Sequence, residues 1–260
     1  MDKSLADFAL RHLEKKGVSY VEAKLESQEV NEFLLKNSIL ESSSFSSNSG
    51  LGIRYLFNGT LGFLSTNSSE KEKIKRLINK SLILTNKASK YKEDITLSKE
   101  RSYKRSYKIK QKIKLADISP EEKLKDLVDA DKAILDTKVN TPGRYIALSD
   151  KISKKYFINS EGTVINSEIP YVDLHYFLTV NENGKSSQRY WEHGETSGWE
   201  AVNGWDIPSI MKDEILTIKN NLEKGKKPPK GILDVVIGPQ ISGIMVLLKK
   251  KSWFRGSDNY

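Results

Sequence analysis

Apolar residues recur along this 260-residue chain with two different periods, and the alternation between them outlines its elements. Over about residues 2–16, Leu5, Phe8, Ala9 and Leu13 fall on one face at helical spacing, and Gly17 ends the run. Val21, Ala23 and Leu25 then alternate with polar neighbours, as in a half-buried strand. Further strands are predicted at "EVNEFLLKN", "GLGIRYLF" and "TLGFLST". Asn58-Gly59 between the last two predicts a hairpin, because both residues tolerate the positive φ of a type I′ turn. The serine-rich "ESSSFSSNSG" is too polar to pack and reads as a loop or an exposed strand of weakly specified register. A second helix over about 69–88 places Ile74, Leu77, Ile78 and Leu82 on one face.

The same order then returns. "ISPEEKLKDLVDADKAILDT" opens with Ser119, Pro120 and Glu122, a capping box with proline at the first helical position, followed by Leu124, Leu127, Val128, Ile134 and Leu135. Strands are predicted at "RYIALSD", "KKYFINS", "TVINSEI" and "YVDLHYFLTV", with Glu161-Gly162 as one turn and "NENG" turning the last back into "KSSQRYWEHG". A final helix over about 207–222 starts at Asp206 and Pro208, and Gly225 closes it. Helix, meander, helix is thus written twice. The expected class is α+β, with antiparallel meander sheets covered by helices. The expected organisation is a domain over 1–223 with sub-repeats 1–90 and 119–223, a linker "KGKKPPKG" at 224–231, and the start of another domain at 232–260.

Composition narrows the classes available. With 37% apolar residues the chain can bury a core, and with no cysteine it has no disulfides, no thiolate ligands and no thiol nucleophile. No signal-peptide core and no run of 18 or more apolar residues is present, so the expectation is a cytoplasmic protein without a membrane partner. The net charge of +9 is unevenly spread: residues 99–114, "KERSYKRSYKIKQKIK", hold eight cations against Glu100 alone. Lys104, Arg105, Lys108 and Lys110, interleaved with Tyr103 and Tyr107, are a candidate basic patch for nucleic acid or an acidic partner. A solvated linker or exposed edge strand guarded by lysines is the preferred reading, which sets nucleic acid aside as a partner.

Candidate chemistry is sparse. His12, His175 and His193 lie far apart in sequence, so no local zinc motif exists. His12 sits at the edge of the first helix's apolar face, and His175 shares a strand side with Asp173 and Phe177; both read as surface or boundary residues. The densest stretch is "RYWEHGETSGWEAVNGWD", residues 189–206, which holds three of the four tryptophans. Its glycines at 194, 198 and 204 predict mostly loop, and Arg189, Tyr190, Trp191, Trp199 and Glu200 are its candidate binding residues. Glu195 and Glu200 would work as a carboxylate pair only at a defined separation. Anchoring of the loop by its tryptophans is the preferred alternative. Dinucleotide, Walker and nucleophile-elbow signatures are absent.

The succession "GLGIRYLFNGTLGFLST", "NSEGT", "SQRYWEHGETSGWE" and "DVVIGPQISGIMV" resembles the N-terminal half of the TldD/PmbA family of zinc metallopeptidases, in order along nearly the whole chain. The resemblance implies a hydrolase family in which a segment like "GPQISGIMV" leads into a His-Glu-x-x-x-His helix. Two histidines and a later cysteine bind zinc there, and the glutamate activates water for peptide hydrolysis. It also implies a peptide substrate and homo- or hetero-oligomers with TldD/TldE-type subunits. After Val246 this chain reads "LLKKKSWFRGSDNY", without histidine, glutamate or cysteine. No catalytic or metal residue carries over, and no zinc is expected in this chain. The resemblance therefore describes an N-terminal scaffold, shortened before the zinc motif and inactive alone, with a binding module built on residues 99–114 as the alternative.

Overall fold

The long strands set the architecture. The computed structural model describes residues 1–91, 95–98, 100–238 and 241–246, which fall into two units, Met1–Lys224 and Gly225–Tyr260. The first unit runs α1 (Ser4–Glu14), β1 (Tyr20–Lys36), β2 (Ile39–Phe57), β3 (Thr60–Thr66), α2 (Lys71–Ala88), β4 (Lys104–Lys108), α3 (Pro120–Asp136), β5 (Gly143–Asn159), β6 (Val164–Glu182), β7 (Lys185–Glu195), α4 (Glu200–Trp205) and α5 (Ile207–Lys224). In the second unit, residues 241–246 are helical, and the Ser242 N–H donates to the Gly238 carbonyl. No helix among the described residues is long and apolar enough to cross a membrane.

The two expected meanders merge into one seven-stranded sheet ordered β3-β2-β1-β5-β6-β4, with β7 also on β6. The join is β1 against β5, antiparallel from Glu22↔Asn159 to Lys36↔Tyr145. Strands expected as separate pieces are continuous: "RYIALSD" and "KKYFINS" are both β5, and "TVINSEI" and "YVDLHYFLTV" are both β6. Pro170 lies inside β6 because that point is locally an edge. β4 pairs with β6 at 164–168 and β7 pairs with it from 172 onward, so no neighbour on that side needs a proline N–H. The serine-rich segment is strand, forming the exposed half of β2 against β1.

One face of the sheet carries the helices of the first unit. On β1, the odd positions Val21, Ala23 and Leu25 enter one core with Leu5, Ala9 and Leu13 of α1 and Ile74 and Ile78 of α2. Further along the same face, Phe33 and Leu35 enter a second core with Leu127 and Ile134 of α3, Leu174, Tyr176 and Leu178 of β6, and Met211 and Ile215 of α5. Period-2 alternation thus serves two helix pairs along one strand. α3 begins with the predicted cap: the Ser119 hydroxyl accepts from the Glu122 N–H, and the Glu122 carboxylate accepts from the Ser119 N–H. Asn58-Gly59 has φ of 50° and 70°, as a type I′ turn requires, and Asn183-Gly184 has 50° and 71°. The β1–β2 turn puts Ser38 at φ 68°, a costly place for serine. It is held there because the Ser38 hydroxyl donates to Asp131, which in turn pairs with Arg144 at 2.7 Å.

Candidate functional site

The aromatic-rich stretch 189–206 is strand and helix for most of its length, not loop. β7 extends to Glu195 and α4 begins at Glu200, so only residues 196–199 connect them. Strand alternation then divides the candidates. Register with β6 places Arg189 opposite Leu178, Trp191 opposite Tyr176 and His193 opposite Leu174, all facing the helices. Tyr190 faces the other way, 58% exposed, with its hydroxyl directed at Glu192.

Under α5 the helix-facing residues form a half-buried polar cluster. Arg189 Nε lies 2.6 Å from Glu214 Oε2, an ionic contact without hydrogen-bond alignment, and the guanidinium stacks 5.0 Å above the Trp191 ring. The His193 ring sits 6.2 Å from that of Tyr176 and 6.0 Å from that of Trp205. Tyr176 Oη and His193 Nε2 are buried, with no hydrogen-bond partner among the described residues. Burial pushes the Tyr176 phenol up, and the Glu214 charge adds to it. Burial pushes the His193 imidazole down, with Glu214 pulling the other way. The cluster therefore holds a neutral tyrosine and a histidine biased toward neutrality beside an ion pair that ties β7 to α5. Arg189 keeps 34% and Glu214 17% of the side chain exposed, so the cluster is half-buried, and what it does is orient β7 against α5.

The remaining candidates lie in a separate clamp. Trp199 is buried in the second core, with Lys123 Nζ 5.3 Å from its ring centre. Glu200 Oε1 accepts from the Lys112 N–H at 3.0 Å and the Ser197 hydroxyl at 3.0 Å, and Oε2 accepts from the Ile113 N–H at 2.8 Å. Burial raises its pKa, but these donors outweigh that and hold it at about 2. Trp199 N–H donates to the Ile113 carbonyl, completing the tie. A carboxylate committed to backbone donors is a strut, and it fastens the end of the basic stretch to α4. That link joins two segments 88 residues apart, and nothing in local sequence signals it.

Of the basic residues, Lys104, Arg105 and Lys108 lie on β4, an exposed edge strand, and Lys110 follows it; Lys99 lies outside the described residues. The three histidines stay apart. His12 Nε2 meets Asn79, His175 Nδ1 meets Asp173, and His193 is in the cluster under α5. Among the described residues, no three His, Cys, Asp or Glu side chains gather to hold a metal ion. A zinc ion of the kind the family resemblance implies does not fit these donors.

A mostly antiparallel sheet with two helix pairs on one face defines an α+β scaffold. The family model for PmbA/TldA metallopeptidase domain 1 matches residues 21–84, and that for the PmbA/TldA metallopeptidase central domain matches 113–220. The chain belongs to the PmbA/TldD family. It is 28% identical over 235 residues to a metalloprotease of Methanocaldococcus jannaschii, covering 87% of this chain and 49% of the relative. It superposes on a candidate modulator of DNA gyrase from Thermotoga maritima with a TM-score of 0.68 at 15% identity, covering 89% of this chain and 50% of that one. TldE from Thermococcus kodakarensis matches with a TM-score of 0.59 at 18% identity, covering 82% and 47%. The chain spans about half the length of the curated relatives it matches.

Proposed function

We propose that this chain is the N-terminal scaffold part of a TldD-like zinc metallopeptidase, acting in the cytoplasm with TldD- or TldE-type subunits on peptide substrates. The observation that carries the reading is the match of two consecutive family domains, the first and the central one, in order along the chain. The 87% of the chain that aligns with a metalloprotease agrees with it. The described residues offer no metal-ligand set. In this reading the ligands and the catalytic carboxylate come from outside them, and the 260 residues do not hydrolyse peptides by themselves. The scaffold contributes a stiff sheet and the surfaces on which a catalytic part and a substrate are held.

The test is to purify the 260-residue chain, add zinc, and follow cleavage of an unstructured fluorogenic peptide, alone and with a TldD-type or TldE-type subunit. Stable co-elution with such a subunit, and no turnover by the chain alone, is the expected result. Turnover by the purified chain alone, abolished by a chelator, would overturn the scaffold reading.

A further inference from the structure

The β4 strand has an open side. In its parallel ladder with β6, the Tyr103 carbonyl accepts from the Val164 N–H and the Ile109 N–H donates to the Glu168 carbonyl, so the odd-numbered residues of β4 face β6. In a parallel ladder the N–H and C=O of one residue point the same way, so those of Lys104, Ser106 and Lys108 point outward. They have no partner strand among the described residues, and all five residues of β4 are exposed.

The charge on this edge has one sign. Lys104 and Arg105 make no ion pair among the described residues, and Lys108 meets Glu168 at 2.9 Å. Beside the strand lies a groove of about 370 Å³ lined by Lys3, Lys108, Lys154 and Lys155, with Glu168 among them. Register aligns Lys154, Glu168 and Lys108 across β5, β6 and β4, a row of alternating charge that an acidic residue on the next strand would continue. The other free edges differ. β3 carries no charged residue, β7 mixes Lys185 and Arg189 with Glu192 and Glu195, and the unpaired part of β2 is serine-rich.

Alternation puts cations on both faces: Lys104 and Lys108 on the helix face, with Val164 and Glu168, and Arg105 on the other, between Tyr103 and Tyr107. The outward row of N–H and C=O groups favours a polypeptide over a nucleic acid, because only a polypeptide continues the ladder. The arrangement suits an extended polypeptide, whose main chain bonds the edge while its side chains alternate between faces.

We propose that β4 is a docking strand for an acidic, extended segment of a partner protein, which adds beside it as a further strand. The proposal stands whether or not the chain serves a peptidase. The test uses the full chain and a labelled nonapeptide of alternating Glu and Val, followed by fluorescence anisotropy at low ionic strength. The same peptide N-methylated at alternate residues, a Lys/Val peptide and an oligothymidylate are run in parallel. The expected result is saturable binding of the Glu/Val peptide only. The Lys104→Ala, Lys108→Ala double variant weakens it roughly three- to tenfold, the size expected of two exposed ion pairs. Ser106→Pro, which removes an outward N–H and leaves the ladder to β6 whole, weakens it with thermal unfolding unchanged. Equal binding of the methylated and unmethylated peptides would show charge attraction without strand addition and overturn the proposal. Tighter binding of the oligothymidylate, or no binding of the Glu/Val peptide, overturns it too, the lysines then serving nucleic acid or edge protection. The methylated peptide decides the matter even if a variant fails to fold.

Discussion

Lys123 of α3 and Asp150 of β5 meet at 2.6 Å with only 3% and 4% of their side chains exposed. The other oxygen of Asp150 accepts from Asn31 Nδ2 of β1, so one carboxylate joins a helix to the two strands that unite the halves of the sheet. Both charges are removed from water, which is costly unless they stay paired.

Breaking that pair from one side is therefore expected to cost far more than removing it whole. Asp150→Ala leaves a buried ammonium and should lose about 3–5 kcal/mol, while Lys123→Met with Asp150→Leu should recover most of it. Urea unfolding of the three variants checks this. Equal losses in the single and double variants would show that packing, not charge, governs the site.

Acid should loosen the clamp on α4. The Glu200 carboxyl sits at about 2, below its unfolded value, so its contribution is present above the unfolded value and is lost as pH falls toward the folded one. Glu26 behaves alike: burial raises it, but Lys24, Gln28 and Lys155 outweigh that and hold it at about 2. Thermal unfolding should fall steeply between about pH 5 and pH 2. Glu200→Gln, whose amide turns an N–H toward a backbone donor, should be less stable at neutral pH and show a shallower fall. An unchanged slope would remove Glu200 from the account.

His193 acts in a higher window. Its folded pKa lies below the unfolded value, so the unfolded chain takes up the proton first. The stability it contributes is present above the unfolded value and is lost as pH drops below about 6.5. Titration of the imidazole by NMR should give a midpoint below that of a free histidine. In Glu214→Gln the midpoint should fall further, because a charge that favours the imidazolium is gone. A rise would contradict the packing described.

Gly198 and Gly62 are both fixed by close approach. A Cβ at Gly198 would strike the Ile113 carbonyl, to which the Trp199 N–H donates. A Cβ at Gly62 would strike the Tyr55 ring, whose hydroxyl lies 2.6 Å from that of Ser81 and 2.9 Å from that of Thr85. Gly198→Ala and Gly62→Ala should each cost about 1–3 kcal/mol. Hydrogen exchange should locate the first at residues 111–113 and the second at α2. Protection lost evenly over the whole sheet would argue against the local cause.

Much of the architecture was legible because it depends on near neighbours. Leu5, Ala9 and Leu13 declare α1 by spacing, Ser119 and Glu122 declare the start of α3, and Asn58-Gly59 declares a turn. The candidate site was less legible. Arg189, Trp191 and His193 are distinguished from Tyr190 only by strand parity, which the return strand "KSSQRYWEHG" offers and which the reading of 189–206 as mostly loop, drawn from Gly194, Gly198 and Gly204, obscures. Gly194 instead sits in β7, where a Cβ would meet the Tyr171 hydroxyl.

Periodicity and turn chemistry, both properties of a few consecutive residues, determined the repeated helix, meander, helix order and the α+β class. Only the tertiary structure decided that β1 and β5 fuse the two meanders, that Glu200 reaches back to Ile113, and that Lys123 finds Asp150. Those contacts join residues 27 to 137 positions apart, the widest being Glu22 with Asn159. No local preference encodes them, because each is set by which surfaces the assembled sheet and helices bring into register.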